Sequence, residues 1–283
     1  MAVKKHLSTF LSAFWLGWQI EANWAHPLLF TLYSIIKPIS SCLILVVMYF
    51  VVTGGRSRAD LFAFMYVGNA FFMLVLGSLQ GLSMVLHIER EHYQTLKYVY
   101  IATSSLHVYL FGRAAARIVI TALSVLITLV FGIAVFHLPI GLGTIDYPLL
   151  LMSLFLGLVA IASFGLILAA ISMVTAMHNF FFSAAAGSLF YFLSGVLYPL
   201  SVLPPVLQKV ALYLPFTYWM EAVRRAVIPS LPPDPLMAGI STAGLIGIFS
   251  AITALFLVLS LVVFNSLEKV TRRAGTIDMT TAY

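Results

Sequence analysis

Charge is what this sequence has least of. Of 283 residues only 8% are Asp, Glu, Lys or Arg, while 62% are apolar. Soluble domains carry about 25% charged residues, and a water-facing surface on a chain of this length calls for about three times the charge present. A soluble globular fold is excluded. So is disorder, which requires low hydrophobicity. The chain is an integral membrane protein. Cysteine is nearly absent as well: Cys42 stands alone, which excludes an internal disulfide and any four-cysteine metal site and leaves a small apolar residue for a membrane helix. No Gly-Lys dipeptide occurs, so no phosphate-binding loop of the Gly-x-x-x-x-Gly-Lys-Ser/Thr kind can form. His-Glu-x-x-His and Gly-x-Ser-Gly are also missing; Leu193-Ser194-Gly195 lacks the first glycine. His87, His107, His137 and His178 lie near span ends without ligand spacing. No catalytic residue, metal site or resident cofactor is assigned, and an intramembrane enzyme is a weak reading.

The missing charge locates the spans, because about 20 apolar residues cross the ~30 Å hydrocarbon core as a helix. Charge-free intervals run over residues 38–55, 61–88, 118–145, 147–208 and 236–267. The fourth would make a helix of about 93 Å, too long for one crossing. The polar pair His178-Asn179 is its natural break. The expectation is an all-α, polytopic protein with six transmembrane helices at 30–52, 61–87, 106–136, 147–177, 180–198 and 237–264. A β-barrel needs strands of about ten alternating residues with polar insides, and these segments are longer and apolar on every side. An even span count places both termini on one side. With that side cytoplasmic, nine Lys and Arg lie inside (Lys4, Lys5, Arg90, Lys97, Arg113, Arg117, Lys269, Arg272, Arg273) and five outside (Arg56, Arg58, Lys209, Arg224, Arg225). The net charge of +6 therefore reads as orientation and implies no nucleic acid.

Residues 1–27 are expected to form an amphipathic helix in the membrane interface, with Leu7, Leu11, Phe14 and Trp18 on one face and Lys5, Ser8, Ser12 and Gln19 on another. A cleaved signal peptide is the alternative, but polar residues interrupt the apolar run. Residues 28–267 make the transmembrane domain and 268–283 a cytoplasmic tail. The most charged stretch, Ile88 to Tyr98, mixes both signs with Tyr93, Leu96 and Tyr98. It reads either as a solvated loop or as a protein docking surface. Arg113 and Arg117 are expected to anchor the third span at the headgroups. The outer segment 199–236 holds eight of the 12 prolines yet is also apolar, which points to short re-entrant helices between spans five and six. Within it Glu221 can pair with Arg224 or Arg225 at helical spacing.

Two motifs carry a resemblance. One runs from Phe192-Leu193-Ser194-Gly195 through Pro199, Pro204-Pro205 and Pro215 to Glu221 and Arg224; the other is Glu89-Arg90-Glu91 with Thr95-Leu96, then Ala102-Thr103 and Gly112-Arg113. Together they resemble the membrane subunits (permeases) of type-2 ATP-binding-cassette exporters. In the second, Gln94 and Lys97 stand where that family usually has Gly and Glu. The resemblance implies a dimer, here of two copies of this chain, with two cytoplasmic ATPase subunits that bind ATP and Mg in a prokaryotic plasma (inner) membrane. It assigns the loop 88–104 (Glu89, Arg90, Glu91, Thr95, Leu96) to ATPase coupling and Ser194, Gly195, Pro199, Pro204, Pro215, Glu221 and Arg224 to the outer motif. The implied function is export of a glycan, lipid, drug or other amphipathic substrate by alternating access.

The fifth span is the candidate pathway or dimer interface: Gly187 lies in a small-residue run that permits close helix approach, with Phe180, Phe181 and Phe182 at one end and Phe190, Tyr191 and Phe192 at the other. Gly77 and Gly81 form a Gly-x-x-x-Gly match that by itself specifies no partner. Lys37, inside the first span, either snorkels to the headgroups or contacts an anionic substrate. An ion-coupled secondary transporter is the rival within transport. It usually needs paired membrane carboxylates, and no acidic residue falls at a span centre.

Overall fold

A computed structural model describes residues 2–22, 27–54, 58–102, 106–174 and 179–274. Arg56, Thr103, His178 and the tail from 275 lie outside the described residues, as do the side chains of Lys97, Phe180 and Phe181. Every regular element among them is helical. In chain order these are α1 (Ala2–Ala22), α2 (Pro27–Thr53), α3 (Ala59–His87), α4 (Leu96–Ala102), α5 (Leu106–Phe136), α6 (Tyr147–Val174), α7 (Asn179–Leu193), α8 (Pro205–Leu212), α9 (Pro215–Val227) and α10 (Thr242–Ala274). A π-helical turn, Ile88–His92, continues α3, and a 3-10 turn, Leu200–Val202, precedes α8.

Five of these helices are long and apolar enough to cross a membrane: α2, α3, α5, α6 and α10. Six were expected from the charge-free intervals. The difference is α7, whose 15 residues span about 22 Å. It stops at Leu193 and not at 198 because Gly195 takes a left-handed φ of +63°, a conformation that ends helices and suits glycine. The last span also differs: α10 starts five residues later than expected and runs on through Lys269, Arg272 and Arg273, covering 33 residues.

α3 is the axis of the bundle, with 18 of its 29 residues buried. It packs against α5, α6, α7 and α9, and α6 packs in turn against α10 and α9. Glycines set several of these crossings by leaving no side chain where another helix touches. A Cβ on Gly77 would lie 2.1 Å from Thr121 Cγ2, and one on Gly81 2.5 Å from Arg117 Cγ. The Gly-x-x-x-Gly pair thus seats α5 on α3 within one chain, a role that sequence alone left unassigned. α1 lies along α5 through Ala13 and Gly17, with Gly112 of α5 against the Phe10 carbonyl. Leu7 and Leu11 stay exposed.

Two apolar cores result. The larger runs from α2 through α3 and α6 to α9 and gathers Phe164, Phe190, Phe216 and Trp219. The smaller sits at the end of α3 and joins Ala13, Leu86, Leu96, Leu110 and Met173. Many of the apolar residues left exposed lie along α2, α5 and α10, with others on α1 and α6, as lipid-facing helices require.

Candidate functional site

Part of the charge in the stretch 88–98 turns inward. α3 does not end at His87 but widens into the π-helical turn, closed by Tyr93 N–H donating to the Ile88 carbonyl at 3.0 Å. Widened turns of this kind frequently occur at functional positions. The turn swings Glu89 into the smaller core, where it is 3% exposed. Its carboxylate accepts from Tyr109 Oη at 2.6 Å, from Arg113 Nη1 at 2.8 Å and from the Thr95 hydroxyl. The Thr95 amide donates to the Glu89 carbonyl at 2.8 Å. Arg113 is equally buried, so it is no headgroup anchor. It is the counter-charge without which Glu89 would not be tolerated inside. Arg117 likewise departs from the expected anchor and pairs with Glu21 of α1.

Arg90 is 4% exposed. Its Nε donates to Glu91 at 3.0 Å and its Nη1 to the carbonyl of Met173, one of the orphan carbonyls in the last turn of α6, at 3.4 Å. Leu96 plugs the smaller core. Three residues of the sequence motif, Glu89, Arg90 and Leu96, therefore hold the loop from beneath. The surface above them is made by His92, Tyr93, Gln94, Tyr98 and Ile101, all exposed. Gln94 has φ +54°, a left-handed conformation that glycine adopts most readily.

The outer motif converges on Arg224. Its Nη2 donates to the carbonyls of Gly195 and Val196 at 2.7 and 2.8 Å, and its Nε to Phe64 at 3.2 Å. The guanidinium lies 3.5 Å over the Phe64 ring, a cation–π stack. Gly68 makes room for it, since a Cβ there would come within 2.3 Å of Nη2. Burial draws the Arg224 pKa down to about 10, against the support of Glu221 and Asp234. Of the two arginines open to Glu221, the ion pair goes to Arg225, at 2.8 Å. Glu221 also accepts from the Asp234 amide at 3.3 Å, and Asp234 accepts from the Leu200 and Leu236 amides. The prolines mark element starts: Pro199 and Pro204 precede the 3-10 turn and α8, and Pro215 opens α9. Ser194 is buried with no partner for its hydroxyl among the described residues. All seven motif residues thus belong to one cluster or its immediate frame, joining the end of α7 to α9 and α3. Asp234, which sequence reasoning missed, completes it; apart from the Leu236 amide its partners are 13 and 34 residues away, so nothing local marks its role.

The candidate pathway residues divide. Gly187 faces Leu76 of α3. Phe190 is buried against Phe164 and Phe216. Tyr191 donates to Asn69 Oδ1 at 3.0 Å. Phe182 and Phe192 are exposed. Gly187, Phe190 and Tyr191 are therefore engaged within the chain, and the free face of α7 is the one carrying Phe182, Leu189 and Phe192. Among the described residues no group of His, Cys, Asp and Glu is placed to hold a metal ion.

Long apolar helices, a charged loop tied down at one end of the bundle and a proline-framed arginine cluster define a multi-pass membrane permease. The chain belongs to the ABC-2 type transporter family: the family's membrane-domain model matches residues 11–228, more than three quarters of its length. The match takes in α1 through α9 and leaves out α10. No curated protein matches the chain. As a permease of this family it is the transmembrane subunit of a transporter and carries no ATPase site of its own.

Proposed function

We propose that the chain is the membrane half of an ATP-driven exporter. Two copies would form the translocation pathway for an amphipathic substrate (a glycan, lipid or drug), each copy bound to one of two cytoplasmic ATPase subunits that supply ATP and Mg. In this reading the chain crosses a prokaryotic plasma membrane six times, with α7 making the fifth crossing and α8 and α9 re-entering from the outer side. Both termini are cytoplasmic, supported by the nine-to-five excess of Lys and Arg on that side. α1 lies at the inner interface, and residues 28–267 form the transmembrane domain.

The observation that carries the reading is the construction of the loop 88–104. α4 presents Tyr98 and Ile101 outward and is bound at its base to Glu89. Glu89 is bound in turn to Tyr109 and Arg113 of α5, and its neighbour Arg90 to α6. A satisfied buried polar network is stiff. A push on α4 therefore moves α3, α5 and α6 together and is not absorbed by a yielding loop. Closure of the ATPase pair on ATP would deliver that push and switch the dimer between inward and outward access. The outer cluster around Arg224 supports this role by fixing α9 to α3 and α7, so that displacement at one end is transmitted to the other.

The reading is tested by purifying the tagged chain from its own membranes in a mild detergent. An ATP-hydrolysing subunit retained in equal numbers is the expected result. A chain that elutes alone, and transports in vesicles on an ion gradient without ATP, would sink it.

A further inference from the structure

A cavity of about 400 Å³ opens between α1, α2, α3 and α5, within the range of small-ligand sites. Two cations line it, Lys37 and Arg117, with Glu21 and Gln80 beside them. Lys37 lies ten residues into α2, Gln80 seven from the end of α3 and Arg117 eleven into α5, which puts all three at a similar level, roughly 10–16 Å from the helix ends they share. Glu21, the one carboxylate of the lining, is already taken by Arg117 Nη1. Arg117 Nε is buried and has no acceptor among the described residues. Lys37 has no carboxylate partner among them; its Nζ rests 5.3 Å from the Tyr33 ring. The cavity therefore holds one positive charge in excess and one orphan guanidinium donor. Phe30, Met73 and Leu76 supply an apolar wall beside this polar end.

We propose that this cavity binds the phosphate headgroup of an anionic amphiphile, Lys37 and Arg117 holding the phosphate and the wall of Phe30, Met73 and Leu76 taking the start of the alkyl chain. A guanidinium with a free N–H and a nearby ammonium are the donors phosphate oxygens accept best. Uncompensated cations among membrane helices mark ligand or ion paths. Phosphate alone would leave the apolar wall unused, and a neutral lipid would leave Lys37 and the Arg117 Nε–H without an anionic acceptor. This deepens the transport reading by naming a substrate class, yet binding to the permease alone needs no ATPase.

The test is a competition assay on the purified chain in maltoside detergent, with fluorescently labelled hexadecyl phosphate as probe. Unlabelled hexadecyl phosphate should displace it at least about tenfold more effectively than hexadecanol or inorganic phosphate. Lys37→Gln should weaken probe binding about tenfold or more, as loss of a charge-assisted contact does, and Lys37→Arg should restore most of it. Ser34→Leu, which fills the cavity and leaves every charge in place, should weaken binding too, with monodisperse elution showing each variant folded. Hexadecanol competing as well as hexadecyl phosphate would overturn the proposal, as would inorganic phosphate doing so. So would unchanged binding in both Lys37→Gln and Ser34→Leu. Failure here leaves a co-purifying ATPase untouched, and absence of that ATPase leaves this binding untouched.

Discussion

Glu89 shows how one carboxylate can be both structural and mechanical. Buried at 3% exposure with Arg113 at its side, it cannot be neutralised without stranding a buried guanidinium. Glu89→Gln is expected to cost about 3–5 kcal/mol, read as a fall in melting temperature by scanning fluorimetry in detergent. Glu91 pairs with Arg90 in the same turn and is more open than Glu89, 12% exposed against 3%, so Glu91→Gln should cost less, about 1–3 kcal/mol for the buried guanidinium it leaves short of an acceptor. Equal losses would show that the hub is not centred on Glu89. Gln94 predicts in the other direction. A non-glycine residue at φ +54° bears a steric cost of about 1–2 kcal/mol, partly offset by the entropy glycine loses on folding. Gln94→Gly should leave stability unchanged or raise it by up to about 1 kcal/mol, and a marked fall would contradict the assigned backbone. Arg224 adds a third case. Lysine keeps the charge but not the fork that reaches Gly195, Val196 and Phe64 together. Arg224→Lys should therefore behave nearly as badly as Arg224→Ala in the same melting assay.

At the scale of elements, α3 against α5 is the contact on which the bundle depends most visibly. Gly77→Leu places a branched side chain where even a Cβ meets Thr121 at 2.1 Å. Overpacking of this kind costs about 1–3 kcal/mol. It should also break the Ser78–Thr121 hydroxyl contact at 3.2 Å, and the measured drop should exceed that of Gly143→Leu, where a Cβ meets nothing. The helices themselves were legible because each charge-free interval has one physical meaning in a bilayer: α5 begins and ends where the sequence placed the third span. The end of α7 was not legible. Apolarity continues past Leu193, and the helix ends where Gly195 takes φ +63°, its carbonyl held by Arg224 29 residues on. The charged stretch at residues 88–98 stayed open between a solvated loop and a docking surface for the same reason. Read locally it is a solvated loop, because Tyr109 and Arg113, which let Glu89 be buried, lie 20 and 24 residues away. Proline spacing was more informative: α8 and α9 begin where Pro205 and Pro215 stand.

For the whole molecule, the two clusters of charge divide the labour. One, around Glu89, joins α4 to α5 and α6 beneath an exposed aromatic surface. The other, around Arg224, locks α9 to α3 and α7 at the far end of the larger core. Eight of the 24 charged residues thus lie in two clusters that tie helices to one another. The central claim is that a separate ATPase drives the bundle through α4. It is tested most directly by measuring ATP hydrolysis and substrate transport together in proteoliposomes holding the complex, with and without Tyr98→Asp. Tyr98 is 61% exposed, so the variant should fold and insert as the unaltered chain does. Tyr98→Asp is expected to abolish ATP-dependent transport while the permease stays monodisperse and keeps its melting temperature. Transport at the unaltered rate in that variant, with the ATPase still bound, would contradict it.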